Sequence, residues 1–175
     1  MWAADEKEAV LGRILKYENP ESAIIFCNTK ADVRFITAYL SKRGFNIDQI
    51  SDDLQQSARE KALNKVKSGK LRVLAATDVA ARGIDISDLA YVFNYTTSDS
   101  PEVYVHRTGR TGRAGKSGVA VSIISGLDIG NFKFMPTVNE ITITEKKFPT
   151  ERQSTRRLVN PEKDQSVDYD QTAIA

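Results

Sequence analysis

Residues 104–116 read Tyr-Val-His-Arg-Thr-Gly-Arg-Thr-Gly-Arg-Ala-Gly-Lys. Arg107, Arg110 and Arg113 alternate here with Gly109, Gly112 and Gly115. That composition suits phosphate. Guanidinium groups match phosphate oxygens in pairs, and glycine lets a backbone approach a ligand closely. On a helix or near-helix, His106, Arg110 and Arg113 fall at spacings of four and three, on one face. Gly109 and Gly112 argue against a long regular helix. A solvated basic loop is the bland alternative, and the apolar strand patterns flanking the segment count against it. Gly115-Lys116-Ser117 imitates the end of a phosphate-binding P-loop, but the full pattern needs glycine five residues before Gly115, where Arg110 stands. No Asp-Glu-Ala-Asp quartet occurs. Arginines aimed at phosphate, without parts to cradle ATP or hold Mg²⁺, suggest a domain that completes another domain's site.

Two further segments carry polar groups at informative spacing. Residues 76–86, Ala-Thr-Asp-Val-Ala-Ala-Arg-Gly-Ile-Asp-Ile, begin at a strand end and turn, with Asp78, Arg82 and Asp85 around Gly83. Small Ala80 and Ala81 let backbone amides face a ligand. Taken alone, the same residues serve equally as a capped helix start at Thr77 or Asp78. Residues 53–59, Asp-Leu-Gln-Gln-Ser-Ala-Arg, place Gln56 and Arg59 three apart on one helix face. Their reach suits a nucleic-acid backbone, although a solvated face is the usual meaning of such spacing.

Composition limits the options. A chain of 175 residues has room for one domain with a proper core and a tail. The net charge is only +2, so any basic surface must come from local arrangement. Cys27 is the single cysteine and lies in the apolar run Ala23-Ile24-Ile25-Phe26-Cys27. It reads as a small core residue, and the lack of a possible internal disulfide suits a reducing, cytoplasmic setting. Cys27 and the lone His106 do not make a zinc site, and no metal is expected on this chain's own residues. No apolar run approaches the roughly 18 residues of a membrane span. Asp5, Glu6 and Glu8 stand where a signal peptide would be apolar. Nothing in the sequence indicates an oligomeric state.

The elements that must position these residues alternate. Helical spacing over 5–17 uses Ala9, Val10, Ile14 and Leu15, and Asn19-Pro20 stops it. The run at 23–28 predicts a strand buried on both faces. Helical spacing returns over 30–43 through Val33, Ile36, Tyr39 and Leu40, with Gly44 as its end. A strand at 46–50 and a helix at 56–68 follow, then strands at 71–76 and 90–95, a helix at 101–108 and a strand at 118–124. This alternation predicts an α/β fold with a mostly parallel central sheet flanked by helices on both faces. Ligands of such sheets sit beyond the carboxyl ends of the strands. Asn28-Thr29, Asp52-Asp53, Thr77-Asp78 and Asn94-Tyr95 should therefore gather on one edge. A final edge strand is expected around 140–147. Residues 150–175 read as a polar tail, or alternatively as one helical segment that docks on a partner.

Together these segments resemble the second RecA-like domain of the DEAD-box helicases, a branch of the superfamily-two RNA helicases. The carrying motifs are Ile24-Ile25-Phe26-Cys27-Asn28-Thr29, Gln56 to Arg59, Ala76 to Asp85, and His106 to Arg113, in family order across roughly residues 22–125. The resemblance implies an ATP-dependent RNA helicase whose other half binds ATP and holds Mg²⁺. Arg110 and Arg113 would be arginine fingers toward the γ-phosphate. Asp85 and Gly83 would lie at the ATP, with Asp85 on its ribose. Arg107 would help lock the two domains, and His106 would couple the ATP and RNA sites. Thr29, Asp53, Gln56, Arg59, Thr77 and Asp78 would face RNA, single- or double-stranded, without strong sequence preference. Residues 1–20 would be the end of an interdomain linker and a first helix, 21–148 the RecA-like domain, and 149–175 a tail or linker. The partners implied are RNA and an N-terminal RecA-like domain of the same protein, with no membrane. The domain alone would bind RNA weakly and not turn over ATP.

Four places depart from the family pattern, one of them the segment between 126 and 140, which is shorter than the usual final helix. Asp52 replaces the usual glycine and brings a carboxylate to a turn meant for RNA phosphate. Val66 replaces a phenylalanine. Thr96-Thr97-Ser98 replaces Asp-x-Pro. None of these is expected to touch the arginines. A stand-alone RNA-binding module of helicase ancestry, and half of a DNA helicase, are the competing functional readings.

Overall fold

Every residue of the apolar run at 23–27 is buried, because helices cover both faces of the strand it forms. A computed structural model of the chain describes residues 7–51, 55–82, 88–98, 100–112, 118–125, 128–132, 144–145 and 172–174. Its core is a parallel sheet of β1 (Ala23–Cys27), β2 (Ile47–Ile50), β3 (Val73–Thr77), β4 (Tyr91–Asn94) and β5 (Val119–Ser122), in the order β2-β3-β1-β4-β5. The expected α/β, RecA-like architecture is therefore the observed one. Register aligns Cys27 with Thr77 and Phe26 with Asn94, so three strands finish side by side.

Side chains alternate along the strands and build a separate core on each face. Ala23, Ile25 and Cys27 pack with Leu11, Ile14 and Leu15 of α1 (Lys7–Glu18) and with Val33, Ile36 and Leu40 of α2 (Lys30–Ser41). Ile24 and Phe26 point the other way, toward Ala62 and Val66 of α3 (Gln56–Lys67) and Ala80 and Ala81 of α4 (Asp78–Ala81). Each fully buried Ile or Phe contributes about 1.5–3 kcal/mol. Residues 7–18 thus share the domain's core.

Two more helices complete the order, α5 (Pro101–Thr108) and α6 (Ile129–Phe132). Ser100 caps α5, its hydroxyl accepting from the Val103 amide, and Pro101 takes the first turn, where no N–H is needed. The four-residue helices α4 and α6 were too short to leave a periodic signal. Within the range expected for an edge strand lies β6 (Thr144–Glu145). Within the stretch expected as a tail, β7 (Thr172–Ile174) runs parallel to β5 and pairs on its other side with β6. No described helix is long and apolar enough to cross a membrane.

Candidate functional site

The carboxyl ends of the strands converge on one side chain. Arg107, on α5, is 1% exposed. Its Nε donates to Asp78 Oδ1 at 2.7 Å and its Nη2 to Asp78 Oδ2 at 2.5 Å. Nη1 donates to the Thr96 carbonyl and Nη2 also to Asn28 Oδ1, both at 2.8 Å. The guanidinium carbon lies 5.4 Å from the centre of the Phe26 ring. Arg107 therefore ties together the segments that follow β1, β3 and β4. Of the four polar clusters expected on this edge, Asn28-Thr29 and Thr77-Asp78 meet here, the third contact comes from Thr96, the residue after Asn94-Tyr95, and Asp52-Asp53 lies outside the described residues.

One turn on, the chain turns outward. Arg110 is partly exposed and His106 is exposed. Arg110 Nη2 lies 2.5 Å from His106 Nε2. A guanidinium only donates, so Nε2 is the acceptor and the neutral ring carries its proton on Nδ1. Thr111, the next residue, forms a parallel bridge with Leu89, and its hydroxyl donates to the Leu89 carbonyl.

The described part of the second segment, residues 76–82, folds as the capped helix start that was one of its two readings. Thr77 is buried, and its hydroxyl accepts from the Ala80 amide. Thr29 performs the same task for α2: its hydroxyl accepts from the Asp32 amide and donates to Asp32 Oδ2 at 2.6 Å. Arg59 Nη2 donates to the Ala80 carbonyl, joining α3 to α4. Gln56 is exposed and donates to Glu60 Oε1 at 3.2 Å. The described motif residues thus form a contact chain from Arg59 through Ala80 and Thr77 to Asp78, Arg107 and Asn28. Gly83, Asp85, Asp53 and Arg113 lie outside the described residues.

Residues 6–115 match the family described as the helicase conserved C-terminal domain. The chain belongs to that family. It is 43% identical over 145 residues to the ATP-dependent RNA helicase CshA of Listeria monocytogenes, across 83% of this chain and 28% of that protein. It superposes on the Escherichia coli DEAD-box protein SrmB, solved bound to regulator of ribonuclease activity A, with a TM-score of 0.78 at 33% identity, over 82% of this chain and 85% of that one. A DEAD box protein from the hyperthermophile Methanococcus jannaschii gives a TM-score of 0.75 at 40% identity, over 82% of this chain and 39% of that one. These likenesses place the chain in the DEAD-box branch, as its C-terminal RecA-like domain. It spans 28% and 31% of the length of two curated relatives it matches.

Within this DEAD-box domain, one departure does reach the arginines. The Thr96 carbonyl takes the Arg107 Nη1, which corrects the expectation that the changed positions stand apart from them. The contact uses backbone, so a change of side chain leaves it available. The Thr96 side chain is occupied elsewhere: its hydroxyl accepts from the Asn28 amide at 2.7 Å and donates to Asn28 Oδ1 at 2.9 Å. Asn28 was expected on this edge and Thr96 was noted as a departure, but neither was expected to bind Arg107. A polar residue directly after a buried strand was the available signal for Asn28. Among the described residues, no three His, Cys, Asp or Glu side chains gather where a metal ion could be held.

Proposed function

We propose that this domain is the ATP-closing and RNA-gripping half of an ATP-dependent RNA helicase. The observation that carries this reading is the sorting of neighbouring arginines. Arg107 is spent inside the domain, whereas Arg110, just past the end of α5, is partly exposed beside exposed His106. A basic group presented there suits phosphates that approach from outside the domain. Val79, 60% exposed on α4, and Val105, 43% exposed on α5, leave apolar surface on the same short helices. Such surface suits closure against a second domain.

In this mechanism the N-terminal RecA-like domain holds ATP and its Mg²⁺, which supply the phosphoryl group and screen its charge. Closure brings Arg110 and Arg113 onto the phosphates, where two guanidinium groups stabilise the charge of transfer. Asp85 and Gly83 contact the nucleotide, with Asp85 on the ribose. His106, already bonded to Arg110, links that finger to the RNA side. Gln56, Arg59, Thr29, Thr77 and Asp53 border the RNA backbone, a contact that reads no base. Arg107 and Asp78 act from within. They hold the strand ends in register, so they shape both surfaces without touching ATP or RNA. The RNA is bent on closure and a short duplex is pried apart. A cytoplasmic setting fits the buried free thiol of Cys27.

The test is phosphate release by the full parent protein, with and without single-stranded RNA, beside its Arg110→Ala variant. RNA-stimulated release that falls by about 10³–10⁵ in the variant is expected. Turnover unaffected by the substitution would remove the finger assignment, and turnover absent from both proteins would leave a plain RNA-binding module.

A further inference from the structure

The loop from α5 to β5 carries Arg110 and Arg113 on either side of Thr111-Gly112. With glycines at 109 and 112, such a loop has little stiffness of its own. Its backbone is nonetheless fastened at two places. The first is Leu89, a buried core residue at the entry to β4. The Leu89 amide donates to the Arg110 carbonyl at 3.2 Å, and the Thr111 hydroxyl donates back to the Leu89 carbonyl at 2.5 Å. The next carbonyl, that of Ala90, accepts from the Val119 amide at 3.0 Å. Leu89-Ala90 therefore grips the loop at one end and the start of β5 at the other.

Gly118, directly before β5, packs against the same Thr111 hydroxyl. A Cβ there would overlap the Thr111 hydroxyl, come within 2.5 Å of the Gly112 nitrogen and within 2.9 Å of Thr111 Cβ. The nitrogen belongs to the backbone, so rotation of a side chain does not relieve the clash. Gly112 itself has φ of +67°, a left-handed conformation that favours glycine, and its nitrogen lies against Gly118. The space left by the missing side chain of Gly118 is thus filled by the peptide between the two arginine-bearing residues.

We propose that Thr111 and Gly118 are positioning residues for the arginine loop. Gly118 is the seat into which Thr111-Gly112 settles, and the Thr111 hydroxyl is the latch that ties the loop to Leu89. Arg110 then swings from a backbone fixed to the core. Neither positioning residue touches ATP or RNA. The inference rests on the reading of Arg110 and Arg113 as phosphate-directed, and its own content is that turnover depends on a hydroxyl and a hydrogen atom behind them.

The experiment measures kcat and KM for ATP in RNA-stimulated phosphate release, with thermal midpoints, on the full parent protein. The variants are Thr111→Val, Thr111→Ser, Gly118→Ala, the double Thr111→Val/Gly118→Ala, and Arg110→Ala as reference. Misplacing a catalytic group by about 1 Å costs on the order of 10²-fold in rate. Thr111→Val is expected to lose kcat on that order, with KM and thermal midpoint little changed, and Thr111→Ser to recover it; Gly118→Ala, which forces the Gly112 backbone aside, should lose kcat and lower the thermal midpoint as well. The double variant should be no slower than its worse parent, because both changes loosen one loop. Should Gly118→Ala fail to fold, the Val and Ser pair at Thr111 carries the test. If Arg110→Ala abolishes turnover while Thr111→Val retains it, the latch is overturned and the finger stands. A kcat loss in Thr111→Val that merely tracks a fall in thermal midpoint also overturns the latch. If Arg110→Ala turns over normally, the finger reading fails first and the latch with it.

Discussion

Asp78 offers both of its carboxylate oxygens to Arg107, one to Nε and one to Nη2. The pair joins the segment after β3 to the middle of α5, and Arg107 adds Asn28 and Thr96 from the ends of β1 and β4. A planar fork with five donors is suited to holding three strand ends at once, and an ammonium is not.

Stability should depend on this fork. Removing one partner of a buried, hydrogen-bonded ion pair costs about 3–5 kcal/mol. Arg107→Ala is expected to lose that much in urea unfolding of the domain. Arg107→Lys should recover only part, because it keeps the charge and loses the geometry. Asp78→Asn should also be destabilising, because it leaves the buried Arg107 guanidinium without its counter-charge even though one acceptor oxygen remains. Unchanged unfolding midpoints in Arg107→Ala would return this residue to a role between domains.

Arg113 should behave in the opposite way. If it is directed to phosphate, as proposed above, it supports turnover and not the fold. Arg113→Ala is expected to keep stability within about 0.5 kcal/mol of the parent. RNA affinity should be largely retained while RNA-stimulated phosphate release collapses. A loss of thermal stability matching the loss of turnover would sink the assignment.

The contrast between these arginines shows where sequence reading stops. Arg107, Arg110 and Arg113 share one motif and one side chain, and nothing in their spacing tells which is buried. Burial depends on Asp78, Asn28 and Thr96, which come from three other segments. The sheet was legible because a buried parallel strand needs consecutive apolar residues, as at Ala23–Cys27, and because Gly44 ends a clear apolar periodicity. The helix α4 was legible only as one of two readings, since a four-residue element shows no period and has only its Thr77 cap as a signal. The role of Gly118 was not legible at all. A glycine before a strand looks like any turn until Gly112 is found against it.

Cys27 should be chemically silent in the folded domain. Burial, reinforced by the Asp32 carboxylate and opposed by Arg107, pushes its thiol up to about 12. An unfolded thiol titrates near 8.5. The protonated thiol is therefore favoured by the fold. That contribution is fully present below about pH 8.5 and is lost as pH rises from there toward the folded value. At pH 8.5 a thiol-labelling reagent is expected to leave native protein unmodified and to react fully in urea. Equal rates in both conditions would show that β1 opens to solvent.

The start of α1 should be held by an acid-sensitive clip. Lys7 Nζ lies 2.5 Å from Asp128 Oδ2 and 3.4 Å from the Tyr95 carbonyl. Asp128 also accepts from the Ser125 amide at 3.0 Å and the Ser125 hydroxyl at 2.6 Å. Burial alone would raise the Asp128 carboxyl, but the bonds from Lys7 and Ser125 and the charge of Lys7 outweigh it and hold it below the ordinary range. A depressed carboxylate adds stability above its unfolded value, near 3.9, and loses it as pH falls through the lower folded value. Both side chains are partly exposed, so the ion pair is worth about 1 kcal/mol or less. Asp128→Asn should therefore lower the urea midpoint at pH 7 and converge with the parent once pH drops well below 4 (roughly the unfolded carboxylate range). Hydrogen exchange over the first turn of α1 should rise in the variant at pH 7, since Lys7 then loses its charged partner. A constant difference between variant and parent across this pH range would mean that packing around Asp128, and not its charge, holds the helix in place.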